Sequence, residues 1–280
     1  MTAGIVLEGG ALRGMYTAGV LDVFLENDIH ADLCIGVSAG ALFGVNYVSG
    51  QKGRAIRYNK KYNKDRNYMG LLPLIKEGNF INTEYAYERV PHKLDPFDNE
   101  AYRNAEQKFY ASITDAQSGE TRYVLVEDVF EQMDVLRASG SMPFISKAVE
   151  IEGHLYLDGA IFDSIPYQWM LDQGTDKVIV ILTQDASYRK KPMNAILSSL
   201  YKRKYPKIAE GLARRHLMYN HQLDEIRKLE EEGRIFVIRP SEAIQIGRME
   251  RDPDKLQGVY DLGVRDAEAL LKELREYLAR

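Results

Sequence analysis

Two strand–glycine–helix junctions follow one another in the first fifty residues, and this tandem narrows the fold more than any other feature of the chain. Gly4-Ile5-Val6-Leu7 is a short apolar run that breaks at Gly9-Gly10, passes through Ala11-Leu12-Arg13-Gly14, and gives way to a helical pattern with Ala18, Leu21, Phe24 and Leu25 on one face. A second strand, Ala31 to Ile35, runs into Gly36-Val37-Ser38-Ala39-Gly40, with a helix expected over 39–48. Successive β-loop-α units argue for an α/β protein with a mainly parallel sheet and helices on both faces.

The second junction has the form G-x-S-x-G, the pattern of a nucleophile elbow. A sharp strand-to-helix turn lifts a serine hydroxyl clear of the backbone, and flanking glycines such as Gly36 and Gly40 remove side chains that would collide there. The following helix would aim its first free N–H groups and its positive dipole end at an oxyanion formed on a substrate. A strand–turn–helix junction with an idle serine gives the same pentapeptide.

Further along, 51–68 is basic and aromatic and reads as a solvated helix. Residues 70–105, with Pro73, Pro91 and Pro96, read as irregular structure around one short helix near Thr83 to Arg89. Runs over 108–114 and 121–127 read as two adjacent strands joined by a turn, and 131–139 as a helix. A hairpin-like pair ends at Asp158-Gly159, the single Asp-Gly dipeptide in the chain. Val178 to Leu182 is apolar throughout, as in strands buried on both faces. A long helix to about residue 232, a strand over 234–238 and an amphipathic helix over 253–278 close the chain.

Three signals bear on chemistry: the loop Gly9 to Gly14, Ser38 and Asp158. The loop also invites a dinucleotide-binding reading, yet Ala11 stands where that fingerprint needs glycine, and the second strand ends in Gly36 where a ribose-binding acid is due. A lone Asp-Gly is ordinarily a turn. As an acyl-transfer site the three fit together: backbone N–H groups of Gly10 and Ala11 form an oxyanion hole, Arg13 pins that loop, Ser38 attacks and Asp158 takes its proton. A Ser-His-Asp triad would instead recruit His92, His154, His216 or His221, none of which has a recognisable setting.

These motifs resemble those of patatin-like phospholipases, which carry G-G-x-x-R/K-G, G-x-S-x-G and D-G-A/G in this order. They are matched here by Gly9 to Gly14, Gly36 to Gly40 and Asp158-Gly159-Ala160. Ala138 to Pro143 resembles a further family stretch, so the likeness runs over roughly 4–185, and the remainder resembles C-terminal extensions of bacterial members. The resemblance implies a three-layer α/β/α fold with a catalytic domain over 1–185 and a mainly helical extension over 186–280 packed on it. It also implies a Ser-Asp dyad that hydrolyses lipid acyl esters (phospholipase A or lysophospholipase-like) through an acyl-enzyme, with no cofactor and no metal. Ala11 departs from the pattern, since many members have a third glycine there. A catalytically silent lipid-binding protein would share all of these features.

With 45% hydrophobic residues, 28% charged and a net charge of −4, the chain is an ordinary globular protein and not a general polyanion binder. The single cysteine, Cys34, excludes an internal disulfide and reads as a buried small hydrophobe. No basic n-region marks a signal peptide and no apolar run approaches a membrane span, so cytoplasmic residence is expected. Between Ser187 and His216 nine Lys or Arg stand against Glu210 alone, among leucines and tyrosines. That stretch, 189–215, suits peripheral contact with the inner membrane face, with a solvated basic helix as the alternative. No nucleic-acid-binding motif accompanies the charge.

Overall fold

The computed structural model describes residues 2–247 and 249–280. In chain order its strands and α-helices are β1 (Ala3–Leu7), α1 (Met15–Glu26), β2 (Leu33–Val37), α2 (Ala39–Val48), α3 (Arg54–Tyr62), α4 (Leu71–Glu77), α5 (Asn99–Asn104), β3 (Lys108–Asp115), β4 (Thr121–Val126) and α6 (Met133–Ser139). There follow β5 (Val149–Ile151), β6 (His154–Asp158), α7 (Tyr167–Asp172), β7 (Lys177–Ile181), α8 (Ala195–Ser199), α9 (Pro206–Glu231), β8 (Ile235–Ile238) and α10 (Pro253–Ala279).

One sheet organises the chain. Strands β3, β2, β1, β7 and β8 lie side by side in parallel, and β4, β5 and β6 join antiparallel at the β3 end. Ile5, Leu7, Cys34, Ile179 and Ile181 face a layer formed by α1, α2 and α10. Val6, Ile35, Val178 and Val180 face α7 and α9. Alternate residues of one strand thus enter two different cores, which is why these strands are apolar at every position. The architecture is the three-layer α/β/α expected. Burial pushes the Cys34 thiol up to about 12, in keeping with a small core residue.

Helix α1 is buried from Met15 to Phe24 because α10 covers the side turned away from the sheet. The two helices cross on glycines: a Cβ on Gly263 would lie 2.1 Å from Tyr16 O, and one on Gly19 would lie 2.3 Å from Tyr260 O. Residues 186–280 therefore reach both sides of the sheet and its edge, through α9, β8 and α10.

Two stretches differ from the expectation. Residues 70–105 are largely helical, with α4, a π-helix over Tyr85–Leu94 and α5. Pro73 falls in the first turn of α4, where the missing N–H has no intrahelical partner to lose, and Pro91 sits inside the π-helix. Helix α3 is not simply solvated. Arg54, Ala55, Ile56, Asn59 and Tyr62 are buried, and the buried guanidinium of Arg54 donates to Asp95 O at 2.7 Å.

Candidate active site

Strand β3 brings the two predicted reactive side chains to one place. Strand β4 occupies one edge of β3 from Phe109 to Thr114. The opposite edge carries β2 as far as the pair Val37–Ser112 and then β6 from the pair Ile113–Asp158. It is open to β6 because the chain leaves the sheet at Ser38 to enter α2. The end of β6 thus meets the end of β2, with Asp158 beside the elbow. The end of α6 and the loop after it tie the two together: Ser38 N–H donates to Ser139 Oγ at 2.9 Å, and Asp158 N–H donates to Ser141 O at 3.0 Å.

Ser38 holds φ 55° and ψ −120°. A non-glycine residue there carries strain of about 1–2 kcal/mol, which persists only where the surroundings enforce it. They do so through glycines. A Cβ on Gly36 would stand 2.5 Å from Ala41 N and Cα, and one on Gly40 would stand 2.4 Å from Leu7 O. Gly159 follows the same logic, since its Cβ would fall 2.2 Å from Ser112 Oγ and 2.6 Å from Ser112 O. The glycine after Asp158 therefore allows β6 to end hard against β3. The Asp158 carboxylate accepts from Ala160 N–H at 2.9 Å and caps the short helical turn over Gly159–Ile161.

The glycine loop lies against the serine. A Cβ on Gly9 would sit 2.8 Å from Val37 O and 2.9 Å from Ser38 Cβ, and one on Gly10 would sit 2.6 Å from Thr183 Oγ1. Ala11 adopts φ 48°, a left-handed conformation that glycine takes without cost. Arg13 turns from the loop to Gln184: with the Gln184 amide turned to face it, the amide oxygen accepts from the guanidinium at 3.0, 3.1 and 3.3 Å. Gly14 packs on Phe43 and Ala39. Gly9, Gly10, Ala11, Arg13, Ser38, Asp158 and Ala160 line one pocket, while Gly14, Gly36, Gly40 and Gly159 shape its walls from behind.

Ser38 and Ala11 also line a second, larger cavity of about 140 Å³, walled by Leu12, Leu42, Phe43, Val90, Leu136 and Met142 among others. Among the described residues no histidine lines either space. His154 is exposed and lies 3.3 Å from Asp115 Oδ2; His92 lies 3.6 Å from Glu88. Among the described residues no group of three or more His, Cys, Asp or Glu side chains is arranged to hold a metal ion.

The model of the patatin-like phospholipase family matches residues 5–169. The chain belongs to this family. A second model, a domain of unknown function (DUF6363), matches 205–279, which takes in α9, β8 and α10. YjjU of Escherichia coli K12 is 32% identical over 183 residues, covering 64% of this chain and 51% of that protein. A Caenorhabditis elegans protein named for a patatin-like phospholipase domain is 27% identical over 186 residues, covering 64% of this chain and 16% of that one. The matched part thus spans about half the length of the first relative and far less of the second. Among solved structures, VipD from Legionella pneumophila shares the fold, with a TM-score of 0.50 at 14% identity over 97% of this chain and 67% of that one.

Beyond the motifs of the patatin-like phospholipases, the site holds residues that sequence reasoning missed. Glu8, 2% exposed, accepts from Thr183 N–H and from the Tyr219 hydroxyl, both at 2.6 Å. Burial first, and then the Glu8 carboxylate, push the Tyr219 phenol far above its ordinary value, so it remains a donor. Lys190, Arg215 and Tyr219 line the same pocket as Ser38, so residues after 186 contribute to it. Glu8 left one trace in the sequence, a carboxylate directly after a buried apolar strand. Tyr219, one of 18 tyrosines, left none.

Proposed function

We propose that the protein hydrolyses lipid acyl esters through a Ser38–Asp158 dyad, in the manner of a phospholipase A or lysophospholipase. The observation that carries this reading is one space shared by a strained elbow serine, an aspartate and a glycine loop, opening onto an apolar cavity. Ser38 Oγ attacks the ester carbonyl carbon as its proton passes to an Asp158 carboxylate oxygen. The carbonyl oxygen takes the negative charge and is held by N–H groups of Gly10 and Ala11. The carbon–oxygen bond to the alcohol breaks, and Asp158 returns the proton to the departing alkoxide. Water, deprotonated by Asp158, then attacks the acyl-serine and releases the fatty acid and Ser38. The apolar cavity receives the acyl chain.

The histidine-free lining of both spaces favours the dyad over a triad. The dyad and the oxyanion loop lie within 1–185, and 186–280 is a mainly helical extension that packs on this part, adds β8 to its sheet and lends Lys190, Arg215 and Tyr219 to the pocket. No helix among the described residues is long and apolar enough to cross a membrane. Contact with a lipid surface, at the cytoplasmic face of the inner membrane, is peripheral and uses the stretch 189–215. There Ile196, Leu197 and Leu200 are exposed beside exposed Lys191, Lys202, Arg203 and Lys204.

A fluorophosphonate probe tests the activated nucleophile. It should label the folded protein at Ser38 and fail to label Ser38→Ala. Absence of labelling in the folded wild type would favour a lipid-binding protein without turnover.

A further inference from the structure

The cavity that Ser38 shares is not apolar throughout. Helix α3 and the residue that caps it turn a polar row into it, comprising Arg54, Tyr58, Asn59 and Asn63. Three of these have partners. Arg54 donates to Asn46 Oδ1 at 2.8 Å and to Asp95 O, with the Asp95 carboxylate at 3.5 Å. Tyr58 lies under the Arg54 guanidinium, whose carbon is 5.3 Å from the ring centre, and Asn59 Nδ2 donates to Ala55 O at 2.9 Å.

Asn63 is different. It is 1% exposed, it lines the cavity, and neither Nδ2 nor Oδ1 of its side chain has a partner among the described residues. Buried amides are rarely left unmet, because the lost hydration is not recovered. The same cavity is lined by Tyr58 and Tyr68; burial pushes the Tyr58 phenol up to about 12 and the Tyr68 phenol well above its ordinary value, so both stay neutral donors.

We propose that Asn63 recognises a hydroxyl group carried on the acyl chain, so that the preferred substrates are esters of hydroxylated acyl chains; this rests on the reading of the cavity as the acyl pocket. A primary amide offers a donor and an acceptor side by side, and a hydroxyl offers the complementary pair. A carboxylate would only accept, leaving Oδ1 unmet, and the nearby Arg54 is already engaged. An ammonium group would only donate, leaving Nδ2 unmet. A plain hydrocarbon chain satisfies neither atom.

The test is binding, which needs no turnover. The Ser38→Ala protein is titrated calorimetrically with octanoic acid and with hydroxyoctanoic acids whose hydroxyl is moved along the chain. At one hydroxyl position the affinity should exceed that for octanoic acid by about tenfold, the scale of a well-made buried hydrogen-bonded contact. Adding Asn63→Leu should abolish or reverse that preference, and so should the smaller Asn63→Ala, which guards against misfolding of the first variant. No binding of any hydroxylated isomer, equal binding of the plain chain at every position, or a preference that survives both Asn63 variants overturns the inference. Preference lost on Asn63 substitution, with a wild type that hydrolyses no ester, would sink the proposed function and overturn the substrate part of this inference, leaving only the recognition of a hydroxylated chain by Asn63.

Discussion

Ser38 and Ala11 both hold left-handed backbone, at φ 55° and 48°, and the strain means different things at the two positions. At Ser38 it presents the hydroxyl, whereas at Ala11 no side-chain chemistry calls for it and glycine would suit the conformation better. Ala11→Gly should keep activity and raise stability by up to about 1 kcal/mol, read from denaturant midpoints. Gly9→Ala should do the reverse. Its Cβ would press on Val37 O and Ser38 Cβ and displace Ser38, the proposed nucleophile, lowering kcat on a soluble ester by about 10²-fold while KM changes little. A Gly9→Ala enzyme with unaltered kcat would contradict the contact between loop and serine. Both positions are visible in the sequence, one as a glycine of the motif and the other as a departure from it. What is not visible is the reason: Gly9 is small because Ser38 lies against it.

At the scale of elements, the turn between β3 and β4 offers a pH test. Burial alone would raise the Asp115 carboxyl, but the N–H groups of Ser118 and Gln117, at 2.8 and 2.9 Å, outweigh it with help from the Ser118 and His154 side chains and hold the group below its ordinary value. A depressed carboxyl stabilises the fold above the unfolded-state value of about 3.9 and loses that effect as pH falls through the folded value. Asp115→Asn should therefore lower the melting temperature at neutral pH, with a gap that closes under acid; a gap constant with pH would sink this assignment. The parallel strands were legible because apolar residues at every position announce burial on two faces. Residues 70–105 were not, since prolines that read as breakers fall in a first turn and in a π-helix. Helix α3 hid its buried face behind Lys60 and Lys61. The sharing of one β3 edge by β2 and β6, which brings Asp158 to Ser38, is a long-range pairing that no local pattern encodes.

The whole molecule joins a site whose serine, aspartate and glycine loop fall within the first 160 residues to a C-terminal region that adds β8 to the sheet, covers α1 with α10 and supplies Tyr219 to Glu8. The same region carries the basic and apolar surface of α8 and its surroundings. Several of its charges are already engaged, Arg189 with Asp224 and Lys207 and Arg214 with Glu210. Lys191, Lys202, Arg203 and Lys204 are the test set for docking. Each cation near an anionic surface contributes about 1 kcal/mol. Replacing the four with Gln should cut hydrolysis of acyl esters in anionic vesicles, flatten its salt dependence and spare a short soluble ester, while equal effects on both substrates would assign the stretch to solubility. The dyad itself is tested most directly by single-turnover hydrolysis of a chromogenic ester by Ser38→Ala, Asp158→Asn, the double variant and His154→Ala, each with its melting temperature recorded. The account predicts that the first three lose activity alike, by about 10³-fold or more, with folding retained and His154→Ala active, since residues acting as one unit are not additive. Near-full activity in Asp158→Asn, with His154→Ala inactive, would contradict it.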